Sequence, residues 1–136
     1  MSTTNERVRE QMSLAGLSVL VVEDDYLLAK EVASTLREHG AVVLGPVPDV
    51  ARGRALLTES LPDCALLDIN LKGQFVYELA EELIRLGVPP IFTTGYDSSF
   101  LPRQLTGRAC LQKPIDMRTL VLSIRKETNT HRPHTA

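Results

Sequence analysis

The sequence is poor in the residues that build disulfide frameworks, zinc fingers and membrane spans. It has two cysteines, Cys64 and Cys110, and neither has a partner at Cys-x-x-Cys spacing, which excludes a disulfide scaffold or a zinc finger. No apolar run approaches the roughly 20 residues that cross a bilayer. The polar start over residues 1–11 also lacks the apolar segment of a secretory signal. The sequence therefore predicts a cytoplasmic protein with no membrane partner.

A basic surface for nucleic acid is missing as well. The chain carries 15 Lys and Arg residues against 17 Asp and Glu residues, and no stretch of the domain is strongly basic. We therefore expect no nucleic-acid partner. Neither of the glycine-rich phosphate loops G-x-x-x-x-G-K and G-x-G-x-x-G occurs, which argues against a nucleotide-binding domain.

The remaining composition is that of one compact domain. The 136 residues are 43% apolar and 24% charged, close to the average for globular proteins. We expect a flexible N-terminal segment over residues 1–16 and a single domain over residues 17–126. Residues 127–136 have almost nothing to bury, so a disordered tail is predicted there.

Short apolar runs alternate with helical patterns along this domain. Five runs are predicted as strands: residues 17–22, 41–44, 64–67, 90–94 and 109–112. Helices are predicted from residue 28, over 50–60, from 79 to 86 and from 116, with a short helix within 100–107. This alternation predicts βαβ units, and hence an α/β fold whose parallel sheet is covered by helices on both faces.

Polar residues fall at the carboxyl ends of these strands. Acids follow strands one and three, a threonine follows strand four and a lysine follows strand five: Glu23, Asp24, Asp25, Asp68, Thr94 and Lys113. Ligands of open parallel sheets bind at this edge, where the strand order reverses. We therefore expect these side chains to converge on one pocket.

The expected pocket suits a divalent cation and a phosphoryl group. Two carboxylates about 4 Å apart repel by about 4 kcal/mol at an effective dielectric constant near 20, and Mg²⁺ prefers such an all-oxygen site. Lys113 and Thr94 add a cation and a hydroxyl donor for phosphoryl oxygens. Since no serine, cysteine or histidine lies at the right strand end, the predicted nucleophile is the Asp68 carboxylate.

These motifs resemble the receiver domain of two-component response regulators. They are VLVVEDD at 19–25, DCALLD at 63–68, TGYD at 94–97 and Lys113-Pro114. The resemblance implies a CheY-like doubly wound sheet of five parallel strands in the order 2-1-3-4-5. It makes Asp68 the phosphoacceptor and Thr94 and Lys113 the phosphoryl-sensing pair. It also implies a Mg²⁺ site formed by a set of oxygen ligands, namely Glu23, Asp24, Asp68 and the backbone carbonyl of Asn70. The peptide bond before Pro114 is expected to be cis.

A narrower resemblance is to the FAT GUY subgroup of single-domain regulators. It rests on LDINL at 67–71 and FTTGY at 92–96, although Thr93 stands where that motif usually has alanine. The subgroup works with HWE-type histidine kinases in alphaproteobacterial stress signalling, so the resemblance implies a kinase partner of that type.

The sequence departs from most receivers three residues before the lysine. Most receivers carry a tyrosine or phenylalanine there, and its ring moves inward when the threonine turns toward the phosphoryl group. This chain has Cys110. Either Tyr96 or Phe92, which flank Thr94 and Gly95, is then expected to supply the moving ring. Tyr96 and Asn70 are also expected to flank the acyl phosphate and to set its lifetime.

The resemblance implies a stand-alone signalling domain rather than an enzyme. Its partner would be a histidine kinase or a histidine phosphotransfer protein, its cofactor Mg²⁺, and its output a protein contact or the phosphoryl group itself. The domain would catalyse only its own phosphorylation and slow dephosphorylation. The main alternative is a binding module that works without phosphorylation. A phosphatase with an aspartyl nucleophile is weaker, because Asn70 stands where its general acid is needed.

Overall fold

The structure, a computed structural model, describes residues 4–71, 74–95 and 101–131. Within these residues lie five α-helices: α1 (Thr4–Gln11), α2 (Tyr26–Glu38), α3 (Val50–Leu56), α4 (Tyr77–Arg85) and α5 (Met117–His131). The same described residues form seven strands: β1 (Ser18–Val22), β2 (Val42–Val47), β3 (Cys64–Asp68), β4 (Asn70–Leu71), β5 (Gln74–Phe75), β6 (Pro90–Thr94) and β7 (Cys110–Gln112). None of the helices in the described residues is long and apolar enough to cross a membrane.

Five strands form one parallel sheet in the order β2-β1-β3-β6-β7. Counted within that sheet alone, the order is 2-1-3-4-5, which confirms the predicted doubly wound fold. Strand β3 lies at the centre and β1 beside it, so the acids at the carboxyl ends of these two strands lie at neighbouring points of the same edge.

Alternate side chains of the central strands enter two separate cores, because successive residues of a strand point to opposite faces. On one face, Val19 and Val21 pack with residues of α2 and α5. On the other face, Leu20 and Val22 pack with residues of α4, and α3 covers the same side. Both faces are buried, which explains why residues 19–22 of β1 and 64–67 of β3 are all apolar rather than alternating with polar residues.

Side chains at the strand ends also begin the helices. The Asp25 carboxylate accepts a hydrogen bond of 3.2 Å from the Leu28 N–H and caps α2. Asp49 caps α3 in the same way through the Arg52 N–H, at 2.8 Å. Each cap satisfies a backbone donor that has no partner within the helix.

Both ends of the domain differ from the sequence prediction. Residues 4–11 of the segment expected to be flexible form α1, and Leu14 behind it is completely buried. Arg125 Nη1 donates 2.7 Å hydrogen bonds to the carbonyls of Glu10 and Ser13, which ties this segment to α5. Helix α5 also continues to residue 131, beyond the predicted end at 126, and Thr128 is buried.

Four further details differ from the sequence prediction or were not predicted. Strand β2 runs through Gly45 and Pro46, where the sequence predicts a turn, and its pairing with β1 is irregular at that point. Helix α3 stops at Leu56 rather than near residue 60. Within the described part of 100–107, the helix is one 3₁₀ turn at Arg103–Leu105. The antiparallel hairpin of β4 and β5 was not foreseen.

Candidate functional site

Three carboxylates meet at the carboxyl ends of β1 and β3. Oxygen atoms of Glu23, Asp24 and Asp68 all lie within 4.8 Å of one another. Glu23 and Asp68 are buried, at 5% and 2% exposure, whereas Asp24 is partly open to solvent. Three acids this close repel strongly unless a cation or a proton joins them, so their oxygen atoms are placed where they could hold a metal ion.

Lys113 brings a positive charge to the same point from the end of β7. Its Nζ atom lies 3.1 Å from Glu23 Oε1 and 3.4 Å from Asp68 Oδ2. The Lys113 N–H donates a 2.7 Å hydrogen bond to the Thr94 carbonyl, which holds this loop against β6. The Lys113–Pro114 peptide bond is cis, as the resemblance implied.

The environment of Glu23 favours its protonated form. Burial, which is the largest cause, and the neighbouring Asp68 raise the pKa of Glu23, and with all its contacts counted the pKa is about 7. Hydrogen bonds from the Asp25 N–H, at 3.0 Å, and from Lys113 act in the opposite direction. Because desolvation penalises the charged carboxylate more than these donors compensate, Glu23 titrates near neutral pH.

Lys113 keeps its proton in this site. Burial alone lowers the pKa of its ammonium group, but the hydrogen bond to Glu23 and the charges of Glu23 and Asp68 raise the pKa above the ordinary lysine value. The ammonium group therefore remains available to pair with an anion that reaches Asp68.

Asp68 ends β3 and is held on its other side by the next loop. The Asn70 N–H donates a 3.0 Å hydrogen bond to Asp68 Oδ1. Asn70 begins the small hairpin and pairs with Phe75 of β5. The two carboxylate oxygens of Asp68 thus have different partners, a backbone amide and an ammonium group. The role of the Asn70 carbonyl as a metal ligand stays a prediction.

Thr94 of the expected phosphoryl-sensing pair and the described residues of the expected switch lie on β6 and β7 or directly after β6. Thr94 ends β6 and is buried, and exposed Gly95 follows it. Phe92 is completely buried and is paired in register with Cys110, which is partly buried. Tyr96 lies outside the described residues, so its expected place beside the site is not tested.

Sequence reasoning missed two contributors. The Asp25 backbone amide binds Glu23, although Asp25 drew attention only for its acidic side chain. Tyr77 at the start of α4 packs its ring against Phe92, with ring centroids 6.5 Å apart. No local sequence pattern marks Tyr77, because its contact with Phe92 depends on the tertiary packing of α4 against the sheet.

Comparison with known proteins places these residues in a family context. The response regulator receiver domain family matches residues 19–125. The sensory transduction protein LytT of Enterococcus faecalis is 28% identical over 114 residues, covering 81% of this chain and 47% of LytT. The chain spans about half the length of the curated relatives it matches first.

Solved structures agree with the observed fold. The crystal structure of a CheY-like receiver domain protein from Methanospirillum hungatei superposes with a TM-score of 0.75 at 26% identity, covering 85% of this chain and 95% of that one. The receiver domain of PhyR from Erythrobacter litoralis gives a TM-score of 0.78 at 22% identity, covering 90% and 98%. At 22% identity, the similarity to the PhyR domain shows a shared fold and nothing more.

Proposed function

The chain belongs to the response regulator receiver domain family, and we propose that it accepts a phosphoryl group on Asp68 from a histidine kinase or a histidine phosphotransfer protein. The observation that carries the proposal is the buried Asp68 carboxylate, which has Lys113 Nζ at 3.4 Å, the Asn70 N–H at 3.0 Å and two further acids beside it. The chain spans about half the length of its first curated relatives, so the functions of the remaining parts of those proteins are not assigned to this chain.

The proposed step is a displacement at phosphorus. An Asp68 carboxylate oxygen forms a bond to the phosphorus atom while the bond from phosphorus to the donor nitrogen breaks. The electron pair of that bond stays on the imidazole, which takes a proton from solvent. The products are an aspartyl phosphate and a neutral histidine, so no oxidant or further reactant is needed.

The acidic cluster fits the Mg²⁺ ion that receiver domains generally bind. Glu23, Asp24 and Asp68 supply oxygen donors, which are the ligands this ion prefers, and Asp24 faces solvent where the ion would keep its waters. When bound, the ion would neutralise charge on the phosphoryl oxygens. Glu23 must be ionised when the ion binds, and its position between Lys113 and Asp25 permits this.

Lys113 and Thr94 are proposed to recognise the phosphoryl group after transfer. In the unphosphorylated protein the Lys113 ammonium bridges Glu23 and Asp68. A phosphoryl group on Asp68 adds negative charge within reach of that ammonium group, so we expect Lys113 to move its contact onto the new oxygens. Thr94 ends the neighbouring strand and supplies a hydroxyl donor on the same edge.

Intact-mass spectrometry after incubation with acetyl phosphate and Mg²⁺ tests the proposal. We expect one added phosphoryl group on the wild-type protein and none on Asp68→Asn. Asp49→Asn is the matched control, because asparagine caps α3 as well as aspartate does, and it should gain the phosphoryl group normally. A wild-type protein that gains no mass, or an Asp68→Asn variant that gains it, would overturn the proposal in favour of a phosphorylation-independent binding module.

The finer assignment to the FAT GUY subgroup, with an HWE-type kinase and a part in stress signalling, is proposed on the motifs at 67–71 and 92–96. Phosphotransfer rates from purified HWE-type kinases and from other histidine kinases compare the two groups of donors directly. We expect an HWE-type kinase to be the faster donor. Faster transfer from kinases of another type would remove the subgroup assignment and leave the phosphoacceptor role intact.

A further inference from the structure

A cavity lies between helix α2 and the end of strand β2. Ala29 and Ala33 line it on the helix side, and Pro46, Val47 and Pro48 line it on the opposite side. Its volume is about 450 Å³, within the roughly 300–1,000 Å³ of pockets that bind small organic molecules. Because β2 is an edge strand, the sheet does not continue beyond it. We call this cavity the α2 groove.

Both sides of the α2 groove are held in place by the fold. The Glu23 N–H donates a 2.9 Å hydrogen bond to the Val47 carbonyl, which ties the β2 side to the end of β1. On the other side, Asp25 caps α2, and Val32 and Leu36 pack this helix into the core. A cavity whose sides are already fixed loses little freedom when a ligand binds.

Two cations line the α2 groove from the helix. Lys30 and Arg37 lie about one and about three turns after Tyr26, so the helix side of the groove extends over about 16 Å at 1.5 Å per residue. Both residues are exposed, and neither side chain forms an ion pair or a hydrogen bond with residues 4–71, 74–95 or 101–131. Arg54, by contrast, is bound to Glu82 at 2.7 Å. The charges of Lys30 and Arg37 are therefore available to a ligand.

The surface between these cations and the acidic cluster is mostly apolar. Tyr26 is 75% exposed and adds a ring to the surface of the alanines, the valine and the prolines. Glu23 and Asp24 line the groove as well, and a negative group close to them would be repelled. Charge complementarity therefore favours a molecule with an apolar body and a single anionic head placed at Lys30 and Arg37.

We propose that the α2 groove binds an amphipathic organic anion from solution, that is, a small molecule with an apolar ring or chain and one carboxylate, sulfonate or phosphate head. The head pairs with Lys30 and Arg37, and the apolar body lies between Tyr26 and Pro46. Binding needs no phosphoryl group on Asp68, so the inference stands apart from the proposed function.

Two fluorescent probes that share their rings and differ in the head group test the proposal. Anilinonaphthalene sulfonate (ANS) carries a sulfonate, and phenylnaphthylamine has the same rings without it. Fluorescence titration of the unphosphorylated full chain should give a single class of ANS site. Amide shift changes in two-dimensional NMR spectra should fall on α2 and on residues 46–48.

Variants of the two cations test the position of the anionic head. Lys30→Gln and Arg37→Gln should each weaken ANS binding about threefold, and the double variant about tenfold, because each removes one exposed ionic contact. Phenylnaphthylamine should bind all three variants as it binds the wild type. Arg85→Gln is the matched control, since Arg85 is also an exposed arginine in the last turn of a helix. It should leave the binding of both probes unchanged.

Tyr26→Ala tests the position of the apolar body. It should weaken the binding of both probes about threefold or more, because it removes an aromatic surface that the rings contact. Leu27→Ala is the matched control, since Leu27 is 76% exposed on the same turn but does not line the groove. It should change the binding of neither probe.

The outcomes keep this inference separate from the phosphoacceptor role. Equal ANS affinity of the wild type and the double variant would overturn the inference, and so would shift changes that fall outside α2 and residues 46–48. Either result leaves phosphorylation of Asp68 untouched. A protein that binds ANS as expected but gains no mass from acetyl phosphate would overturn the proposed function and support this inference.

Discussion

The ammonium group of Lys113 lies 3.1 Å from Glu23 Oε1, although 90 positions separate the two residues in the chain. The pair occupies the edge of the sheet where Asp68 also lies, so the unphosphorylated site holds its own cation. Binding of a phosphoryl group or a metal ion must therefore rearrange an existing ion pair. Phosphorylation and metal binding should therefore each change the contacts of Lys113 in a way that can be measured.

Replacing Lys113 tests its part in phosphoryl transfer. We expect Lys113→Gln to lower the rate of Asp68 phosphorylation by acetyl phosphate by about a hundredfold, the usual effect of removing one charged or hydrogen-bonding partner of the developing anion. Lys113→Arg keeps the charge, so its phosphorylation rate should fall between the rates of the wild type and of Lys113→Gln. Quenched-flow mass spectrometry measures the rates, and a Lys113→Gln rate within about threefold of wild type would contradict the assigned role.

The pH dependence of Mg²⁺ binding tests the unusual state of Glu23. Its pKa of about 7 means that the carboxylate is mostly protonated at lower pH and must lose that proton to bind a cation. The apparent Mg²⁺ dissociation constant should therefore rise about fivefold between pH 7 and pH 6, and change little above pH 8. Isothermal titration calorimetry in buffers of different ionisation enthalpy also counts the released proton.

Glu23→Gln is the control for that experiment, because glutamine cannot titrate. It should bind Mg²⁺ more weakly, and its dissociation constant should not change between pH 6 and pH 8.

The raised pKa of Glu23 also affects the stability of the metal-free protein. Folded Glu23 keeps its proton while the unfolded chain loses it, so its contribution to the free energy of unfolding decreases from about pH 4.5 to about pH 7.

Gly45 should tolerate no side chain. Its φ is +94°, and an added Cβ would lie 2.8 Å from the Val47 nitrogen and 3.0 Å from the Val21 carbonyl. Gly87 has a similar φ of +82° with nothing within 4 Å. We expect Gly87→Ala to cost about 1–2 kcal/mol from backbone strain alone and Gly45→Ala roughly 3 kcal/mol or more from strain plus backbone clash. Urea denaturation of both variants checks the difference, and equal losses would contradict it.

The N-terminal segment should contribute to stability without affecting the site. Leu14 is completely buried among residues of α2 and α5, so Leu14→Ala should lower the free energy of unfolding by about 2–4 kcal/mol. Arg125→Ala removes both hydrogen bonds to the carbonyls of Glu10 and Ser13 and should cost about 1–2 kcal/mol. Leu27→Ala is the control, because Leu27 is 76% exposed and its loss should change the free energy of unfolding little. Phosphorylation rates should stay normal in all three, and a loss at Leu14→Ala comparable to that of Leu27→Ala would contradict the packing role.

Much of the fold could be predicted from local pattern. Buried strands such as 64–67 are apolar throughout, and acids or glycines mark where they end, so strand positions and the parallel class followed from the sequence. The order of the strands came from the family resemblance. The termini could not be predicted, because Leu14 looks like any isolated apolar residue until α2 and α5 provide a surface for it.

The sequence by itself determined which chemical groups meet at the edge of the sheet, because parallel strands bring their carboxyl ends together whatever the loops do. Only the tertiary structure decided how those groups are paired. The approach of Lys113 to Glu23 as well as Asp68, and the contact of Tyr77 with Phe92, depend on loop paths and helix packing. Distances of a few ångströms between segments far apart in the chain arise from the balance of all packing contacts, and no local pattern of residues encodes them.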